Sequence, residues 1–360
     1  MREYLLCLAA AAAVTYLLTP LARTWALRFG AIAEVRDRDV HSDTTPRWGG
    51  LAMLGGLTVA VLLADHLPLM GTIFTDKRQI SALAMAALII VALGLVDDKF
   101  GLDAPTKFVG QILAAGVMSM QGVSIAWLPI NGTTILDPVL SMAVTVFIVV
   151  LSINAVNMVD GLDGLAASVV GVGATAFFTY TYFLSVANGY QRAALATLVS
   201  AAMVGVCIGF LPHNWFRARV FMGDTGSMLL GLLMAASSVM VTGQVDPGAL
   251  ENGSLLPAFL PIILPFSILA VPLTDLVLAV IRRSRKGRSP FAPDKQHLHH
   301  RLLKLGHGQE RAVLIMSTFT AVIAFGAVST AFVPIWVTIL GVALGAVVLF
   351  AWVMNPPQSV

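Results

Sequence analysis

Residues 138–164 read PVLSMAVTVFIVVLSINAVNMVDGLDG, and this stretch decides the fold class. Its first part, 138–156, contains no charged residue and approaches the roughly 20 apolar residues that a helix needs to cross a bilayer. Asp160 and Asp163 follow shortly after the apolar run. Ionisable groups at membrane depth are costly and by default functional. The stretch therefore predicts a membrane helix that ends in polar chemistry.

The apolar character of this stretch extends along the whole chain of 360 residues. Apolar residues make up 58% of the sequence and charged residues 11%, whereas an ordinary soluble domain has roughly a quarter charged residues. This composition argues against a soluble enzyme, a disordered protein, a coiled coil and a disulfide scaffold. Cys7 and Cys207 both lie in apolar runs, so neither a disulfide framework nor a thiolate metal site is expected.

Eleven stretches are long and apolar enough to span a membrane. Their predicted bounds are 4–24, 48–68, 79–96, 107–123, 138–156, 164–186, 192–211, 225–243, 257–281, 311–332 and 335–354. We therefore predict an all-α polytopic integral membrane protein with a single membrane domain, 1–360. A cytoplasmic substrate-binding loop, 282–311, lies within that domain.

The distribution of positive charge predicts the orientation of these spans. The chain has 22 Lys and Arg residues, and on one side of the membrane only four are predicted: Arg2, Lys77, Arg78 and Arg192. Cytoplasmic loops have the excess of Lys and Arg, which predicts an outer N-terminus and a cytoplasmic C-terminus. Most of the 19 acidic residues also fall near the cytoplasmic face, although they contribute little to orientation. This clustering predicts an active site on that face.

Two adjacent carboxylates, Asp97 and Asp98, end the third predicted span, and Lys107 and Gln111 follow. The negative end of the helix dipole disfavours carboxylates at this position. Like charges this close should raise the pKa of one carboxyl group, as a general base or a metal site requires. The alternative is a pair of solvated carboxylates balanced by Lys99.

Four polar residues, Asn154, Asn157, Asp160 and Asp163, recur every three positions at the end of the fifth span. On a straight helix, each step of three residues turns the side chain by about 60°, so the four would not share one face. The glycines after Asp160 and Asp163 are expected to break the helix and let the side chains converge. Oxygen ligands of this kind suit Mg²⁺, although a chance amphipathic helix end is the alternative.

Gly223-Asp224-Thr225-Gly226-Ser227 comes directly before an apolar helix. Asp224 at or near the N-cap position would have an ordinary structural role. A glycine-rich turn into a helix N-terminus also binds phosphate. Both interpretations stay open from the spacing alone.

The first and last cytoplasmic loops contain the remaining candidates. In the first loop, His41 and Arg47 precede Gly49-Gly50, which either let a ligand approach the backbone or belong to an ordinary basic loop. The last loop contains His297, His299, His300 and Arg301. Zinc and a basic cluster facing anionic lipid are alternatives there, but we favour binding of a multiply charged anionic substrate.

Together and in this order, the five segments resemble the polyprenyl-phosphate N-acetylhexosamine-1-phosphate transferase family, glycosyltransferase family 4. The resemblance runs from about Glu34 to Leu303. It is carried by the Asp-Asp pair, Asn-x-x-Asn-x-x-Asp-Gly-x-Asp-Gly, Gly-Asp-Thr-Gly-Ser and the histidine segment. One departure is Asp39, which stands where relatives usually have a Lys two positions before the histidine matched to His41.

The histidine segment is similar to one branch of this family. Ser289-Pro290-Phe291 followed by the 297–303 run looks like the WecA/TagO branch, which uses UDP-GlcNAc. The phospho-MurNAc-pentapeptide translocases typically have three consecutive histidines and ten spans. Leu298 interrupts the histidines here, and eleven spans fit the first branch better.

The resemblance implies transfer of GlcNAc-1-phosphate from UDP-GlcNAc to a membrane polyprenyl phosphate, undecaprenyl or decaprenyl, with release of UMP. It also implies Mg²⁺, for which Mn²⁺ substitutes, held by Asp224 with Asn157 as second ligand. The implied catalytic residues are Asp97, Asp98 and Asp163, and either of the first two would deprotonate or orient the acceptor. The implied substrate-binding residues are Lys107, Gln111, Asn154, Asp160, His41, Arg47, His297, His299, His300 and Arg301.

Two other functions and several partners complete the expectations. Within the family, the alternative is the phospho-MurNAc-pentapeptide translocase of peptidoglycan synthesis. From another class, the alternative is a secondary transporter, which the scarcity of charge at mid-span argues against. The expected location is the bacterial inner (plasma) membrane, in contact with lipid. A homodimer is left open, and no nucleic acid partner is expected.

Overall fold

The computed structural model describes residues 1–33, 45–74, 77–128, 134–187, 193–242, 270–285, 287 and 298–356. Twelve α-helices lie in these ranges. They are α1 (Arg2–Phe29), α2 (Gly49–Asp65), α3 (Lys77–Phe100), α4 (Ala104–Met120), α5 (Pro138–Val159), α6 (Leu165–Tyr182), α7 (Ala194–Asn214), α8 (Gly223–Thr242), α9 (Ala270–Arg285), α10 (Leu298–Lys304), α11 (Gln309–Ser329) and α12 (Ile335–Met354). A 3₁₀ helix covers Pro68–Phe74, and a π-helical turn, Phe183–Ala187, extends α6.

The all-α membrane architecture predicted from the sequence is confirmed. Eight of the described helices are long and apolar enough to cross a membrane: α1, α3, α5, α6 with its extension, α7, α8, α11 and α12. The predicted spans 48–68 and 107–123 correspond to α2 and α4, each of 17 residues. Most of the predicted span 257–281 lies outside the described residues. The total of eleven and the orientation stay predictions.

Strands are confined to two short antiparallel pairs in the described part of the chain. β1 (Ile32–Ala33) pairs with β2 (Thr45–Pro46) just before α2. β3 (Trp127–Leu128) pairs with β4 (Thr134–Ile135) between α4 and α5. Both pairs lie in connections and contribute no layer to the fold.

Small residues bring the helices close together, as expected in a membrane, where packing replaces the hydrophobic effect. In α7, an added Cβ at Gly205 or Gly209 would meet the carbonyl oxygens of Leu8 and Ala12 in α1. In α8, an added Cβ at Gly231 would lie 2.6 Å from Cα of Ile153 in α5. α7 and α8 are therefore the most enclosed helices, and their spanning segments are almost wholly buried.

Two glycines, Gly50 and Gly94, let neighbouring helices contact the backbone at the N-terminal end of α8. An added Cβ at Gly94 of α3 would meet backbone atoms of Thr225, and one at Gly50 of α2 would meet those of Gly226. The N–H of Gly50 also donates to the carbonyl oxygen of Met222 at 3.0 Å. Backbone contact at these points sets the first turn of α8 directly against the C-terminal end of α3. The predicted Asp-Asp and Gly-Asp-Thr-Gly-Ser segments meet there.

Candidate active site

Asp98 caps helix α8 from a different helix. Its carboxylate accepts hydrogen bonds from the backbone N–H of Asp224 at 2.9 Å and of Thr225 at 3.1 Å, and from Thr225 Oγ1 at 2.7 Å. Gly223 has φ +69°, and an added Cβ there would overlap the Asp98 carboxylate. Because glycine has no side chain, position 223 leaves room for the Asp98 carboxylate to approach the free N–H groups at the start of α8.

Because Asp98 supplies the cap, the side chain of Asp224 is directed to other partners. Its Oδ1 accepts a hydrogen bond from Asn157 Nδ2 at 2.9 Å, and its Oδ2 lies 2.6 Å from Lys107 Nζ. The capping role that the spacing left open for Asp224 is thus taken by Asp98. Asp224 presents a carboxylate to residues of α4 and α5.

Lys107 lies between two of the predicted carboxylates. Its ammonium group contacts Oδ2 of Asp97 as well as Oδ2 of Asp224. Oδ1 of Asp97 accepts the backbone N–H of Leu102 at 2.7 Å, which ties the α3–α4 turn to the same side chain. Asp97 is only 4% exposed, so the ammonium group offsets much of the cost of burying its charge.

The amides of α5 continue this network towards the membrane interior. Asn157 Nδ2 also donates to Ser227 Oγ at 2.9 Å. One turn deeper, Asn154 Nδ2 donates to Gln111 Oε1 at 2.6 Å, and Gln111 is fully buried. Asn154 and Gln111 therefore hold α5 and α4 together, a structural role beside the predicted substrate-binding role.

The predicted break after α5 places Asp160 and Asp163 in a loop. α5 ends at Val159, and α6 begins after Gly164, whose φ is +73°. Asp163 Oδ2 accepts the N–H of Ala218, in the α7–α8 connection, at 3.1 Å. Asp163 is thus joined to the loop that leads into α8, and its predicted catalytic role is not tested by this contact.

Asp160 lies within electrostatic range of the main cluster. Burial, together with the negative charges of Asp224 and Asp98, raises the pKa of the Asp160 carboxyl group to about 8. The positive charge of Arg47 opposes this shift. Arg47 therefore lies within electrostatic range of the Asp160 carboxylate, and the substrate-binding roles of both residues stay predictions.

The remaining predicted residues are only partly described. His41 and His297 lie outside the described residues, as do the side chains of His299 and His300. Arg301 is exposed in α10. The apolar side of α10, formed by Leu298, Leu302 and Leu303, packs against a buried cluster that includes Leu162. α10, which contains His299 and His300, is thereby anchored beside the Asp160–Asp163 loop.

Sequence reasoning missed one residue that joins two loops of the site. Asn214, at the end of α7, is 2% exposed. Its Oδ1 accepts the N–H of Gly164 at 3.1 Å, and its Nδ2 donates to the carbonyl oxygen of Val220 at 3.0 Å. A single Asn at the end of an apolar helix has no spacing pattern that would reveal this role. The available signal was the presence of a polar residue at the predicted cytoplasmic end of a helix.

The donor atoms of this cluster fit a magnesium ion. The carboxylate of Asp224, the carboxylate of Asp97 and the amide of Asn157 offer oxygen atoms, which Mg²⁺ prefers. Asp97 and Asp224 already share one cation, the Lys107 ammonium group, so the position between them favours positive charge. Within the described residues, no group of three His, Cys, Asp or Glu side chains forms a metal cage of its own.

Comparison with known proteins identifies the family. Residues 80–242 match the model of glycosyl transferase family 4. Decaprenyl-phosphate N-acetylglucosaminephosphotransferase from Mycolicibacterium smegmatis is 45% identical over 341 residues, which cover 92% of this chain and 83% of that protein. This chain belongs to glycosyl transferase family 4. The predicted resemblance is confirmed, and the protein is a multi-pass membrane transferase.

Two further relatives of this glycosyl transferase differ in their named activities. Undecaprenyl-phosphate alpha-N-acetylglucosaminyl 1-phosphate transferase from Yersinia pestis is 29% identical over 92% of this chain and 86% of its own. Phospho-N-acetylmuramoyl-pentapeptide-transferase from Desulforudis audaxviator is 30% identical over 83% of this chain and 88% of its own. The family match at 80–242 includes the cluster around Asp97, Asn157 and Asp224.

Proposed function

We propose that this enzyme transfers GlcNAc-1-phosphate from UDP-GlcNAc to a polyprenyl phosphate, which yields polyprenyl-diphosphate-GlcNAc and UMP. The observation that carries the proposal is the convergence of Asp97, Asp98, Lys107, Asn157 and Asp224 at the ends of four apolar helices. The names of relatives at 43–45% identity, all decaprenyl-phosphate GlcNAc-phosphotransferases, support the choice of donor and acceptor.

The position of the cluster suits this pair of substrates. The acceptor has a lipid tail and a phosphate head, whereas the donor is a soluble nucleotide, so the two meet only at a membrane surface. The clustered carboxylates lie where apolar helices end, and exposed apolar residues of α4 such as Phe108, Val109 and Leu113 lie on the same helix as Lys107. A prenyl chain in contact with that surface would bring its phosphate towards Lys107.

The reaction needs stabilisation of negative charge more than covalent chemistry. Attack of the acceptor phosphate oxygen on the β-phosphorus of the donor forms one P–O bond and breaks the P–O bond to UMP. Positioning and neutralisation of the phosphates account for most of the catalysis in such transfers. Lys107 supplies a cation to the phosphates, and Asp97 orients or deprotonates the acceptor phosphate.

Mg²⁺ belongs to this proposal, with Asp224 and Asn157 as its protein ligands and Mn²⁺ as a substitute. When bound, the ion withdraws charge from the diphosphate and makes UMP a better leaving group. Asn157 would turn its amide so that the oxygen atom faces the ion, and its nitrogen would then leave its present partners, Asp224 and Ser227.

Direct attack by the lipid phosphate is preferred over an aspartyl intermediate on Asp98. A phosphate oxygen is mostly ionised at neutral pH and needs little activation. Asp98 accepts three hydrogen bonds from the first turn of α8, which lowers the nucleophilicity of both oxygens. Its role in this proposal is to position Asp224 and Thr225.

The test uses purified full-length protein in detergent with radiolabelled UDP-GlcNAc, a polyprenyl phosphate and Mg²⁺. We expect equimolar UMP and lipid-linked GlcNAc, both dependent on the acceptor and on the metal. A preparation in which a double substitution, Asp97→Asn with Asp224→Asn, removes two predicted residues serves as the control. UMP release without labelled lipid, or no transfer to either undecaprenyl or decaprenyl phosphate, would contradict the proposal.

The cellular location belongs to the proposal too. We place the enzyme in the bacterial plasma membrane with its site on the cytoplasmic face, where UDP-sugars are made. A homodimer stays a prediction. The secondary transporter has no support in a chain of this transferase family.

A further inference from the structure

Lys107 lies at the place where the proposed metal ion would bind. Its ammonium group contacts Asp97 and lies 2.6 Å from Oδ2 of Asp224, the proposed metal ligand. The other oxygen of Asp224 already accepts a hydrogen bond from Asn157, the second proposed ligand. The ammonium group of Lys107 and the amide nitrogen of Asn157 therefore contact the two oxygens of Asp224, and both groups must move or turn when a metal ion binds there.

An ammonium group and a divalent cation do not share this position. Both would sit against the same carboxylate oxygen, and like charges at contact distance in a partly buried site repel strongly. Lys107 is 28% exposed at its side chain, and its four-carbon stem lets the charged end move to a nearby anion. The backbone of α4 stays in place during such a movement because Gln111, one turn on, is buried and bonded to Asn154.

We propose that Lys107 is a built-in counter-ion that holds the metal position in the substrate-free enzyme and leaves it when metal and UDP-sugar bind together. This inference rests on the proposed function, since it takes the donor diphosphate as the new partner of Lys107. When the metal ion binds without the donor, displacement of the ammonium group costs free energy, because Lys107 loses its contacts with two carboxylates. The cost falls when the donor supplies phosphate oxygens for the displaced group.

Metal and donor binding are therefore coupled through one side chain. Such coupling is reciprocal: the nucleotide strengthens metal binding by the same factor by which the metal strengthens nucleotide binding. The substrate-free enzyme keeps Asp97 and Asp224 paired without a metal ion. Tight binding of Mg²⁺ is confined to the complex that can react.

The first test measures Mn²⁺ binding to the purified full-length protein without nucleotide, from the electron paramagnetic resonance signal of unbound Mn²⁺. We expect Lys107→Gln to bind Mn²⁺ on the order of 10-fold more tightly than the wild type, within the usual range of coupling between sites. Lys107→Arg retains the charge and should bind as weakly as the wild type. Arg47→Gln is the matched control, because it removes a nearby positive charge that does not contact Asp224.

Addition of UDP completes the first test. In the wild type, UDP should raise the affinity for Mn²⁺ far more than in Lys107→Gln, where no ammonium group needs a new partner. Equal effects of UDP in the two proteins would overturn the coupling. Equal strengthening by Lys107→Gln and Arg47→Gln would overturn the specific contact and leave only a general effect of charge.

The second test uses the wild type alone and so does not depend on the folding of any variant. An acetylating reagent is added with and without saturating Mn²⁺, and the modified lysines are identified by mass spectrometry. We expect acetylation of Lys107 to rise with the metal, because the amine leaves its carboxylate partners. Lys99, exposed at the end of α3, is the internal control and should not respond. Unchanged or lower labelling of Lys107 would overturn the proposal.

The failure of this inference and that of the proposed function give different results. If Mn²⁺ binds the wild type without nucleotide as tightly as it binds Lys107→Gln, the counter-ion role is wrong while metal-dependent transfer stands. If Asp224→Asn binds Mn²⁺ as well as the wild type with UDP present, the metal is not at Asp224, and both this inference and the ligand role of Asp224 are wrong. The proposed function itself fails only if labelled GlcNAc is not transferred to a polyprenyl phosphate.

Discussion

At the scale of single residues, substitution of Asp224 tests whether its carboxylate is a metal ligand or a helix cap. Asp98 already caps α8, so the Asp224 carboxylate contributes little to helix stability, which a lost cap would lower by about 1 kcal/mol. We expect Asp224→Asn to retain the fold, measured by thermal unfolding, and to lose turnover by several orders of magnitude. The control is Asp137→Asn, at a residue that caps α5 through the N–H groups of Val139 and Leu140. Near wild-type turnover of Asp224→Asn at saturating Mg²⁺ would refute the ligand role.

Substitution of Asp98 distinguishes direct attack by the lipid phosphate from a route through an aspartyl intermediate. Direct attack by the lipid phosphate predicts no UMP when enzyme and donor are mixed without acceptor, because no other nucleophile is available. We expect rapid-quench measurements to show no burst of UMP under these conditions. A burst stoichiometric with enzyme, present in the wild type and abolished in Asp98→Asn, would establish the aspartyl intermediate instead.

Residue-scale prediction from the sequence succeeded where spacing has a chemical meaning. The Asp-Asp pair and Gly-Asp-Thr-Gly-Ser each contain adjacent polar groups at the end of an apolar run, and the structure brings Asp97, Asp98 and Asp224 together. The sequence left open whether Asp224 caps α8 or belongs to a phosphate-binding turn, and it did not reveal that Asp98, near the end of α3, supplies the cap. Asn214 was missed because it makes long-range contacts to Gly164 and Val220 that no local pattern encodes.

At the scale of helices, close glycine contacts hold the site together, and they yield a sharp test. An added methyl group at Gly94 would meet the backbone of Thr225, which cannot turn away as a side chain would. We expect Gly94→Ala to lower the free energy of unfolding by roughly 1–3 kcal/mol, as overpacking does. Turnover should fall as well, because the shift separates Asp98 from the first turn of α8.

Gly116→Ala is the matched control for this prediction. It lies in α4, where an added Cβ meets nothing within 4 Å, and alanine favours the helix. Stability and turnover of Gly116→Ala should equal or exceed those of the wild type. Equal behaviour of the two variants in thermal unfolding and transfer assays would show that α3 and α8 are not in backbone contact.

The helices themselves were largely predictable, because hydropathy alone locates apolar runs of sufficient length. The predicted span 138–156 corresponds to α5, and 225–243 to α8. Hydropathy did not predict which helices are buried: α8 lies almost wholly inside the bundle and α12 mostly faces outward, although both are strongly apolar. Small residues such as Gly205, Gly209 and Gly231 decide this, and their partners lie far away in the sequence.

At the scale of the whole molecule, the orientation follows from the asymmetry of Lys and Arg. Cytoplasmic loops have the excess of positive charge, so we expect a reporter fused after Val360 to read as cytoplasmic. A reporter inserted in the 246–253 loop should read as external. Alkaline phosphatase and green fluorescent protein fusions check the two positions. Both reporters on one side would contradict the orientation and a cytoplasmic active site.

Discrimination between donor substrates also belongs to the scale of the whole molecule, because the clustered residues would bind the part that the donors share. UDP-GlcNAc and UDP-MurNAc-pentapeptide share the nucleotide and the diphosphate, which Lys107, Asn157 and Asp224 would contact in either case. The sugar must therefore be distinguished by another part of the protein, and α10, which contains His299 and His300, packs beside the Asp160–Asp163 loop through Leu162.

We expect a helix anchored there to leave space for a small sugar and to exclude a lactyl-peptide substituent. Exclusion by overpacking costs several kcal/mol, which corresponds to at least about 100-fold in rate. We expect robust transfer from UDP-GlcNAc and almost none from UDP-MurNAc-pentapeptide, measured as labelled lipid with the same membranes and the same polyprenyl phosphate. Leu298→His, which restores a continuous histidine run, tests whether the interruption matters and should narrow the difference. Comparable rates from both donors in the wild type would instead move this chain to the peptidoglycan translocases of its family.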